Sequence, residues 1–506
     1  MTNEPFMPAT VIAKPETIVT VAAPAAENAW RRCCCQAIWA VSILVALEAL
    51  FSIPLLSVET ARPGASALAY AVSFGIVLGV CFGVRFATPF LRRSVVPFPR
   101  IRPKMWICAI ISLGLVVRLL WVMTFPTLPR SDTATYVGLA YKLYRLGEYS
   151  VAGTYAYWPP GYPFFLFAHF KLFGPYLWVA VLANCWLYAA TVVVVYVFAR
   201  RLAGAGAGAA RIAMLIIALW PNYIFSAGLA SKETLLVLLL PLSIYLVLRA
   251  HEASSAPGRI GAAFAAGLVF GMASLTQPST QLLVVPVLVF ELLALTKWSN
   301  LVIRMMCIAL GMAIVIGPWT VRNFHVFNRW VPISTNGGSV FYRANNPSAT
   351  GGYIREGEYS LEWLPEIEWS SLGYKLGVEW IRSYPLEFVS LVGRKQKLFL
   401  GDDANGAYET LRRGHEDVDS RYVAFKLICQ LFWLGLWVAI IAGLWLARKT
   451  RLSQDPKLAL MLLTCLCLFA VHSIFESGGK YHMPLIAFLS LLAALPFFES
   501  GEVKNL

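Results

Sequence analysis

The chain has 506 residues, of which 58% are hydrophobic and 14% are charged, whereas about a quarter of the residues in ordinary soluble domains are charged. Apolar runs of membrane-spanning length recur along the chain, so the composition excludes a soluble enzyme and indicates a polytopic membrane protein. The formal net charge is +15. Because basic residues accumulate in the cytoplasmic loops of such proteins, we expect no nucleic-acid partner.

The first predicted element is a disordered cytoplasmic tail at residues 1–30, which are rich in Ala, Pro, Thr and Glu and show little periodicity. Runs of about 16–24 apolar residues follow and predict an all-α fold of about 12 transmembrane helices. The runs lie near residues 36–56, 67–85, 105–124, 177–199, 211–226, 233–249, 260–276, 279–296, 302–319, 423–447, 458–475 and 481–499. Two extra N-terminal helices (31–104) therefore precede a transmembrane core (105–319), and residues 423–506 contain the C-terminal helices.

Short basic loops indicate the orientation of these helices, because Lys and Arg favour the cytoplasmic side of a membrane. With twelve spans, all the basic loops fall on the side of Arg31 and Arg32, so both termini are predicted to be cytoplasmic. The loops lie at residues 85–104, 200–211, 297–304 and 448–457.

Two longer segments then lie on the extracytoplasmic side, a first loop at residues 125–176 and a larger loop region at 320–422. Residues 136–145 have apolar and aromatic residues at helical spacing but are too short and polar to span, so they predict an interfacial helix. Residues 370–400 predict a helix that is broken at Pro385.

Asp132 comes directly after the third apolar run, at the extracytoplasmic interface. A carboxylate that is partly shielded from water can serve as a general base. Taken alone, Asp132 is better explained as a cap of the helix that begins there, because Ser131 and Asp132 are good N-cap residues. The turn at residues 158–163 (WPPGYP) offers a rigid aromatic wall for a lipid-linked substrate. An ordinary aromatic belt at the membrane interface is an equal alternative for that turn.

Charged residues at the extracytoplasmic ends of different spans form the strongest pattern. One carboxylate, Asp132, is accompanied by several cations, and cations would stabilise a leaving phosphate while the acid activates an acceptor hydroxyl. The cations are Lys232, Arg322, Arg343, Lys480 and His482. Transfer from an anionic lipid phosphate needs such an arrangement.

In these motifs the chain resembles the glycosyltransferase C superfamily, specifically bacterial family 39 transferases related to protein O-mannosyltransferases and the lipid A aminoarabinose transferase. The resemblance covers roughly residues 105–490. It is carried by Asp132, PPGYP at 159–163, SKE at 231–233, PWTVRN at 318–323, VPISTNGG at 331–338, NNPSATG at 345–351 and KYHMP at 480–484.

The resemblance implies a glycosyltransferase C-type fold and an inverting transfer of a hexosyl or pentosyl unit from a polyprenyl-phosphate carrier to an acceptor hydroxyl. By this likeness Asp132 is the general base and Lys480 faces the carrier phosphate. Further candidates for phosphate binding are Arg322, Lys232, Arg343 and His482, and for the donor and acceptor pocket Tyr136, Trp158, Tyr162, Glu233 and Tyr481. The acceptor is a glycan, lipid or protein of the cell envelope, and the location is the bacterial cytoplasmic (inner) membrane, with the active site facing the periplasm.

Two other functions share parts of this pattern. An O-antigen ligase or polymerase also combines many spans with a large outer loop and commonly uses Arg and His, for which His325, Arg329, Arg343 and His415 are available. A lipid-linked-oligosaccharide flippase would need ionisable residues at the bilayer midplane. Few charges lie in the apolar segments, which disfavours transport; they are Glu48, Arg118 and Glu291.

No cofactor other than the lipid-linked donor is assigned. The chain has no Asp-X-Asp motif in a soluble domain, and its cytoplasmic loops are too short for a nucleotide-sugar site. Asp402 and Asp403 leave a divalent metal open, but an exposed polar turn explains them as well, and no metal ligands are predicted.

Overall fold

The computed structural model describes residues 25–61, 64, 66–91, 102–202, 204–353, 361, 363–412 and 420–498. Within these ranges the chain forms helices and connecting turns, and the β-structure is limited to an isolated bridge between Val151 and Thr154. The all-α class predicted from the apolar runs is therefore confirmed for the described residues.

The α-helices follow one another through the described parts of the chain. In order they are α1 (Ala25–Ala61), α2 (Ser66–Leu91), α3 (Pro103–Thr124), α4 (Asp132–Leu146), α5 (Gly161–Phe173), α6 (Trp178–Ala199), α7 (Ala207–Leu219), α8 (Pro221–Phe225), α9 (Lys232–Glu252), α10 (Ala256–Thr276), α11 (Val284–Leu293), α12 (Trp298–Phe327), α13 (Gly337–Ala344), α14 (Glu366–Ser383), α15 (Pro385–Gly401), α16 (Asn405–Ala407), α17 (Ser420–Ala447), α18 (Pro456–Ile474) and α19 (Ile486–Ala493). The predicted interfacial helix is α4, and the break predicted at Pro385 separates α14 from α15. Because α1 begins at Ala25, the end of the predicted tail is helical, and residues 1–24 lie outside the described residues.

The predicted count of about 12 spans is not confirmed. In the described part of the chain, nine helices are long and apolar enough to cross a membrane: α1, α2, α3, α6, α9, α10, α12, α17 and α18. A tenth results if α7 and α8, bent by 47° at Trp220, form one span, while residues 278–293 and 483–497 form shorter apolar helices. Pro221 lies at the bend, where the missing backbone N–H and the bulk of the ring prevent a continuous helix, and Pro484 lies in the first turn of the segment at 483–497.

Small residues bring α10 and α12 into close contact. Gly267 and Gly271 lie four residues apart on α10, and Gly311 lies opposite them on α12. A Cβ atom at Gly267 would lie 2.2 Å from the Ile308 carbonyl oxygen, and one at Gly311 would lie 2.5 Å from that of Phe264. Because glycine lacks this atom, the two backbones can touch, as is common for helices packed in a membrane.

The bundle has two chemically different ends. At one end, Glu252 at the end of α9 binds Arg201 and Lys457, and Arg304 forms a bidentate pair with Glu291. At the other end α3, α10, α12 and α18 finish and α9 begins, and there the segments 125–176 and 320–422 contact each other. We call this second end the site face.

Candidate functional site

The site face joins two residues that are far apart in sequence. Asp132 is the first residue of α4, and Lys480 lies in the turn that follows α18. The Lys480 Nζ atom donates a hydrogen bond to Asp132 Oδ2 at 2.9 Å. The side chains keep 31% and 38% of their surface exposed, respectively, so the pair is accessible to a ligand. The carboxylate and the cation predicted for base and phosphate chemistry therefore lie together.

The structure also addresses the alternative that Asp132 only caps α4. The N-cap residue is Ser131, which has φ 50° and makes no side-chain hydrogen bond to a helix N–H group. Its hydroxyl instead lies 3.4 Å from Asp132 Oδ1. Asp132 thus occupies the first turn, where the helix dipole favours a carboxylate, but it is not the N-cap residue.

Glu476 is a member of this cluster that the sequence analysis missed. Its Oε1 accepts a hydrogen bond from the Tyr481 hydroxyl at 2.7 Å, and its Oε2 pairs with Arg343 at 3.1 Å. Glu476 is only 4% exposed, and it connects α13, which carries Arg343, to the turn that carries Lys480. Its position four residues before Lys480 is the only signal in the sequence that could have identified it.

The charges around Lys480 keep it protonated. Burial lowers the pKa of the ammonium, but Tyr481 and the carboxylates of Asp132, Glu233 and Glu476 raise it more, so that the pKa lies well above its ordinary value. A permanently charged ammonium at the edge of an accessible site suits the binding of an anion.

An aromatic wall stands beside the pair. The Tyr136 ring packs edge-on against Trp158 and Tyr162, with ring centroids 5.5 Å apart in both cases. Burial and the nearby carboxylates of Glu233 and Asp132 raise the pKa of Tyr136 well above its ordinary value, so its hydroxyl stays protonated. The Tyr162 hydroxyl is buried and makes no hydrogen bond to the described residues.

The residues that begin α9 lie on the same face. Glu233 is buried, accepts a hydrogen bond from the Ser231 hydroxyl, and acts electrostatically on Tyr136, Tyr162 and Lys480. Lys232 is half-buried beside it. Glu233 therefore lies near the aromatic wall and Lys480, and Lys232 precedes it in the chain.

Arg322 is occupied elsewhere. Its guanidinium donates to the carbonyl oxygens of Tyr155 at 2.7 Å and Tyr149 at 2.9 Å. It also lies over the Trp319 ring, 4.6 Å from the centroid. Because these bonds hold the first loop against α12, the geometry assigns Arg322 to loop anchoring and not to the Lys480 cluster.

His482 points into the protein, away from the Asp132 pair. It is 1% exposed; its Nδ1 lies 2.6 Å from the Phe399 carbonyl oxygen and its Nε2 lies 2.9 Å from Asp403 Oδ1. Asp403 is fully buried, so the exposed polar turn expected for Asp402 and Asp403 is wrong for Asp403. Tertiary packing supplies hydrogen-bond donors for this carboxylate, which residue type alone does not reveal.

Two of the intramembrane charges are fully engaged with protein groups. Arg118 binds the carbonyl oxygens of Gly114, Ile217 and Ala218. Glu291 binds Arg304, Thr296 and His251. Engaged charges of this kind stabilise packing and do not line a transport path.

Of the residues considered for a ligase, His325 and Arg329 are exposed, Arg343 is paired with Glu476, and His415 lies outside the described residues.

Among the residues that the structure describes, no group of three or more His, Cys, Asp or Glu side chains is arranged to hold a metal ion.

Comparison with known proteins gives one match to a protein family. Residues 158–320 match the family of dolichyl-phosphate-mannose-protein mannosyltransferases. No curated protein sequence matches the chain.

Solved structures also match the chain, at low sequence identity and with TM-scores below 0.5. The Archaeoglobus fulgidus oligosaccharyltransferase matches with a TM-score of 0.47 and 14% identity over 78% of this chain and 50% of its own, so this chain spans about half the length of that protein. ArnT from Cupriavidus metallidurans, solved with undecaprenyl phosphate, matches with a TM-score of 0.39 and 18% identity over 77% of this chain and 78% of its own. The S. cerevisiae protein O-mannosyltransferase complex bound to the sugar donor matches with a TM-score of 0.35 and 16% identity over 54% and 43% of the two chains.

The fold and the site define a multi-pass membrane protein with a carboxylate–ammonium pair at one end of its bundle. The family match over residues 158–320 confirms the resemblance to the family 39 type of the glycosyltransferase C superfamily that the motifs indicated.

Proposed function

We propose that this chain is an inverting membrane glycosyltransferase that moves a sugar from a polyprenyl-phosphate carrier to an acceptor hydroxyl. The observation that carries the proposal is the accessible pair of Asp132 and Lys480, 2.9 Å apart beside an aromatic wall. The family match over residues 158–320 supports the same reaction class.

The reaction needs one base and one cation. The acceptor oxygen attacks the anomeric carbon on the face opposite the phosphate, and Asp132 takes the hydroxyl proton. The bond between the anomeric carbon and the phosphate oxygen breaks, and the electron pair leaves with the polyprenyl phosphate. Lys480 stabilises the charge that develops on this phosphate.

The pairing of Asp132 with Lys480 has a consequence for the order of events. A phosphate competes with Asp132 for the Lys480 ammonium, because both are anions. Donor binding therefore releases the Asp132 carboxylate from its cation and makes it available to the acceptor. Lys232 and Arg343 add positive charge on the site face, whereas Arg322 and His482 are held by other contacts.

The location of the reaction follows from charge. The end of the bundle opposite the site face carries the basic loop residues, including Arg201, Arg304 and Lys457. By the positive-inside rule we infer that this end is cytoplasmic, together with both termini, and that the site face is extracytoplasmic. The resemblance to bacterial transferases supports the inner membrane of a bacterium as the location. The acceptor is then a glycan, lipid or protein of the cell envelope.

The test is the transfer of labelled sugar in membranes, using polyprenyl-phosphate-linked hexoses and pentoses as donors. We expect Asp132→Asn to reduce transfer by about 100- to 10,000-fold, because the general base is lost. Lys480→Met is expected to weaken donor binding so strongly that the transfer rate no longer saturates with donor concentration. Since the ion pair is exposed, it stabilises the fold by only about 0.2–1 kcal/mol, so both variants should unfold near the wild-type temperature.

Glu148→Gln is the matched control. It removes another exposed ion pair of the first loop, Lys142–Glu148 at 3.2 Å, and should retain full transfer. Wild-type activity in Asp132→Asn would remove this residue from the mechanism, and no transfer by the wild type with any donor would contradict the proposed reaction.

A further inference from the structure

Asp403 is the centre of a buried hydrogen-bond network that the proposed chemistry does not use. It lies between α15 and α16 and is 0% exposed. Its Oδ1 accepts from Asn222 Nδ2 at 2.6 Å and lies 2.9 Å from His482 Nε2, and its Oδ2 accepts from Trp220 Nε1 at 2.7 Å. The Asn222 amide is oriented by its Oδ1, which accepts from the Gly406 N–H group at 2.7 Å.

Both ring nitrogens of His482 have partners within the protein. Its Nδ1 faces the Phe399 carbonyl oxygen at 2.6 Å, and a carbonyl oxygen only accepts, so Nδ1 carries a hydrogen. Its Nε2 faces the Asp403 carboxylate, which also accepts from Trp220 and Asn222. His482 and Asp403 thus form a hydrogen-bonded pair that is shielded from water.

This pair holds the turn that carries Lys480. The Trp433 ring stacks on His482 with centroids 4.5 Å apart and an angle of 13°. On the other side of Lys480, Gly479 lies against the Asp402 backbone, where a Cβ atom would be 2.3 Å from the carbonyl oxygen. The residues on both sides of Lys480 are thereby fixed to the segment at 402–403.

The interrupted helix α7–α8 supplies the opposite wall of the network. Trp220 and Asn222 flank Pro221 at the 47° bend. Arg118, buried on α3, binds the Ile217 and Ala218 carbonyl oxygens that this break leaves without helical partners. The bend therefore delivers two donors to Asp403 from within the bundle.

We propose that Asp403, acting through His482, is a positioning residue that holds Lys480 in place for the donor phosphate. The inference rests on the proposed function for the role of Lys480, but the contacts that hold the turn do not depend on it. Asp403 is buried and does not touch substrate, so its effect is transmitted through the geometry of residues 479–482.

The kinetic test uses Asp403→Asn and His482→Gln in the full-length membrane protein. Asn keeps the shape of Asp403 but removes its charge and turns one acceptor into a donor facing Trp220. We expect the KM for the donor to rise and kcat to fall, so that kcat/KM for the donor decreases by about 100-fold. A displacement of about 1 Å has an effect of this size on a positioned group. The acceptor KM should stay at the wild-type value, which distinguishes displaced Lys480 from general loss of structure.

A second readout does not require activity. An amine-reactive reagent, followed by mass spectrometry, measures the labelling of Lys480 relative to Lys142, which is similarly exposed (33% against 31%) and also ion-paired. In the wild type the ammonium is held in its charged form by Asp132, and the labelling ratio is low. We expect the ratio to rise several-fold in Asp403→Asn and in His482→Gln.

Glu291→Gln is the matched control, because Glu291 is also a buried carboxylate that several side chains bind, but at the opposite end of the bundle. It should leave the labelling ratio and the donor KM unchanged even where it lowers the unfolding temperature. An unchanged ratio and donor KM in folded Asp403→Asn and His482→Gln would overturn the inference. A wild type that shows no transfer while the ratio rises in the variants would contradict the proposed function but support the positioning of Lys480.

Discussion

The crossing of α13 and α14 offers a sharp test of how packing controls the site from a distance. Gly338 on α13 lies against Gly373 and Ser370 on α14. A Cβ atom at Gly338 would lie 1.8 Å from the Ser370 carbonyl oxygen, and one at Gly373 would lie 2.2 Å from the Gly338 carbonyl oxygen. Both contacts are with backbone atoms, which cannot rotate away, so Gly338→Ala must separate the two helices.

The size of the effect follows from these distances. Cβ atoms in proteins essentially never approach another heavy atom closer than 3.0 Å, so α13 has to move by about 1 Å, at a cost of about 1–3 kcal/mol in the free energy of unfolding. α13 carries Arg343, whose pairing with Glu476 at 3.1 Å connects it to the turn of Lys480. A displacement of about 1 Å at the site is expected to lower the transfer rate by about 100-fold.

The assay measures the rate of sugar transfer and the thermal unfolding of Gly338→Ala in parallel. Gly138→Ala is the control, because Gly138 lies on α4 of the same face with nothing within 4 Å of its Cβ position. Alanine there should keep full activity and raise stability by about 0.5–1 kcal/mol, since it removes the entropic cost of glycine in a helix. Full activity in folded Gly338→Ala, or an equal loss in Gly138→Ala, would refute the reasoning.

Two further predictions concern buried charges near the site. Burial lowers the pKa of Lys395 from 10.5 to about 7. Between these two pH values the unfolded chain binds the proton and the folded chain does not. The free energy of unfolding should therefore rise as the pH increases from about 7 to 10. Lys395→Met should flatten this rise in thermal unfolding, and an unchanged pH profile would contradict the prediction. Glu366 accepts hydrogen bonds from the Tyr155 and Ala156 N–H groups and from the Thr335 hydroxyl, so Glu366→Gln should destabilise the protein by about 1–3 kcal/mol. Faster proteolysis of the first loop is expected with it, and wild-type rates of cleavage would show that Glu366 does not anchor that loop.

Local patterns determined most of the helices of this protein. The length of an apolar run and the spacing of its residues depend only on neighbours in the chain, so α4 and the break at Pro385 could be predicted directly. Length and hydropathy do not distinguish a spanning helix from a short apolar helix that is covered by other helices. For this reason the segments at 279–296 and 481–499 were predicted as full spans, whereas the structure contains shorter helices there.

The sequence by itself also placed Asp132, Lys232 and Lys480 at ends of spans, because the alternation of spans and loops fixes the end of the bundle to which each residue belongs. It did not determine which of them meet. Three features depend on how distant helices pack against one another. They are the contact of Asp132 with Lys480, the inward orientation of His482 toward Asp403, and the use of Arg322 as a loop anchor. Side-chain partners are selected by this packing, since a buried polar group is stable only where another part of the chain supplies its hydrogen bonds, and only the tertiary structure contains that information.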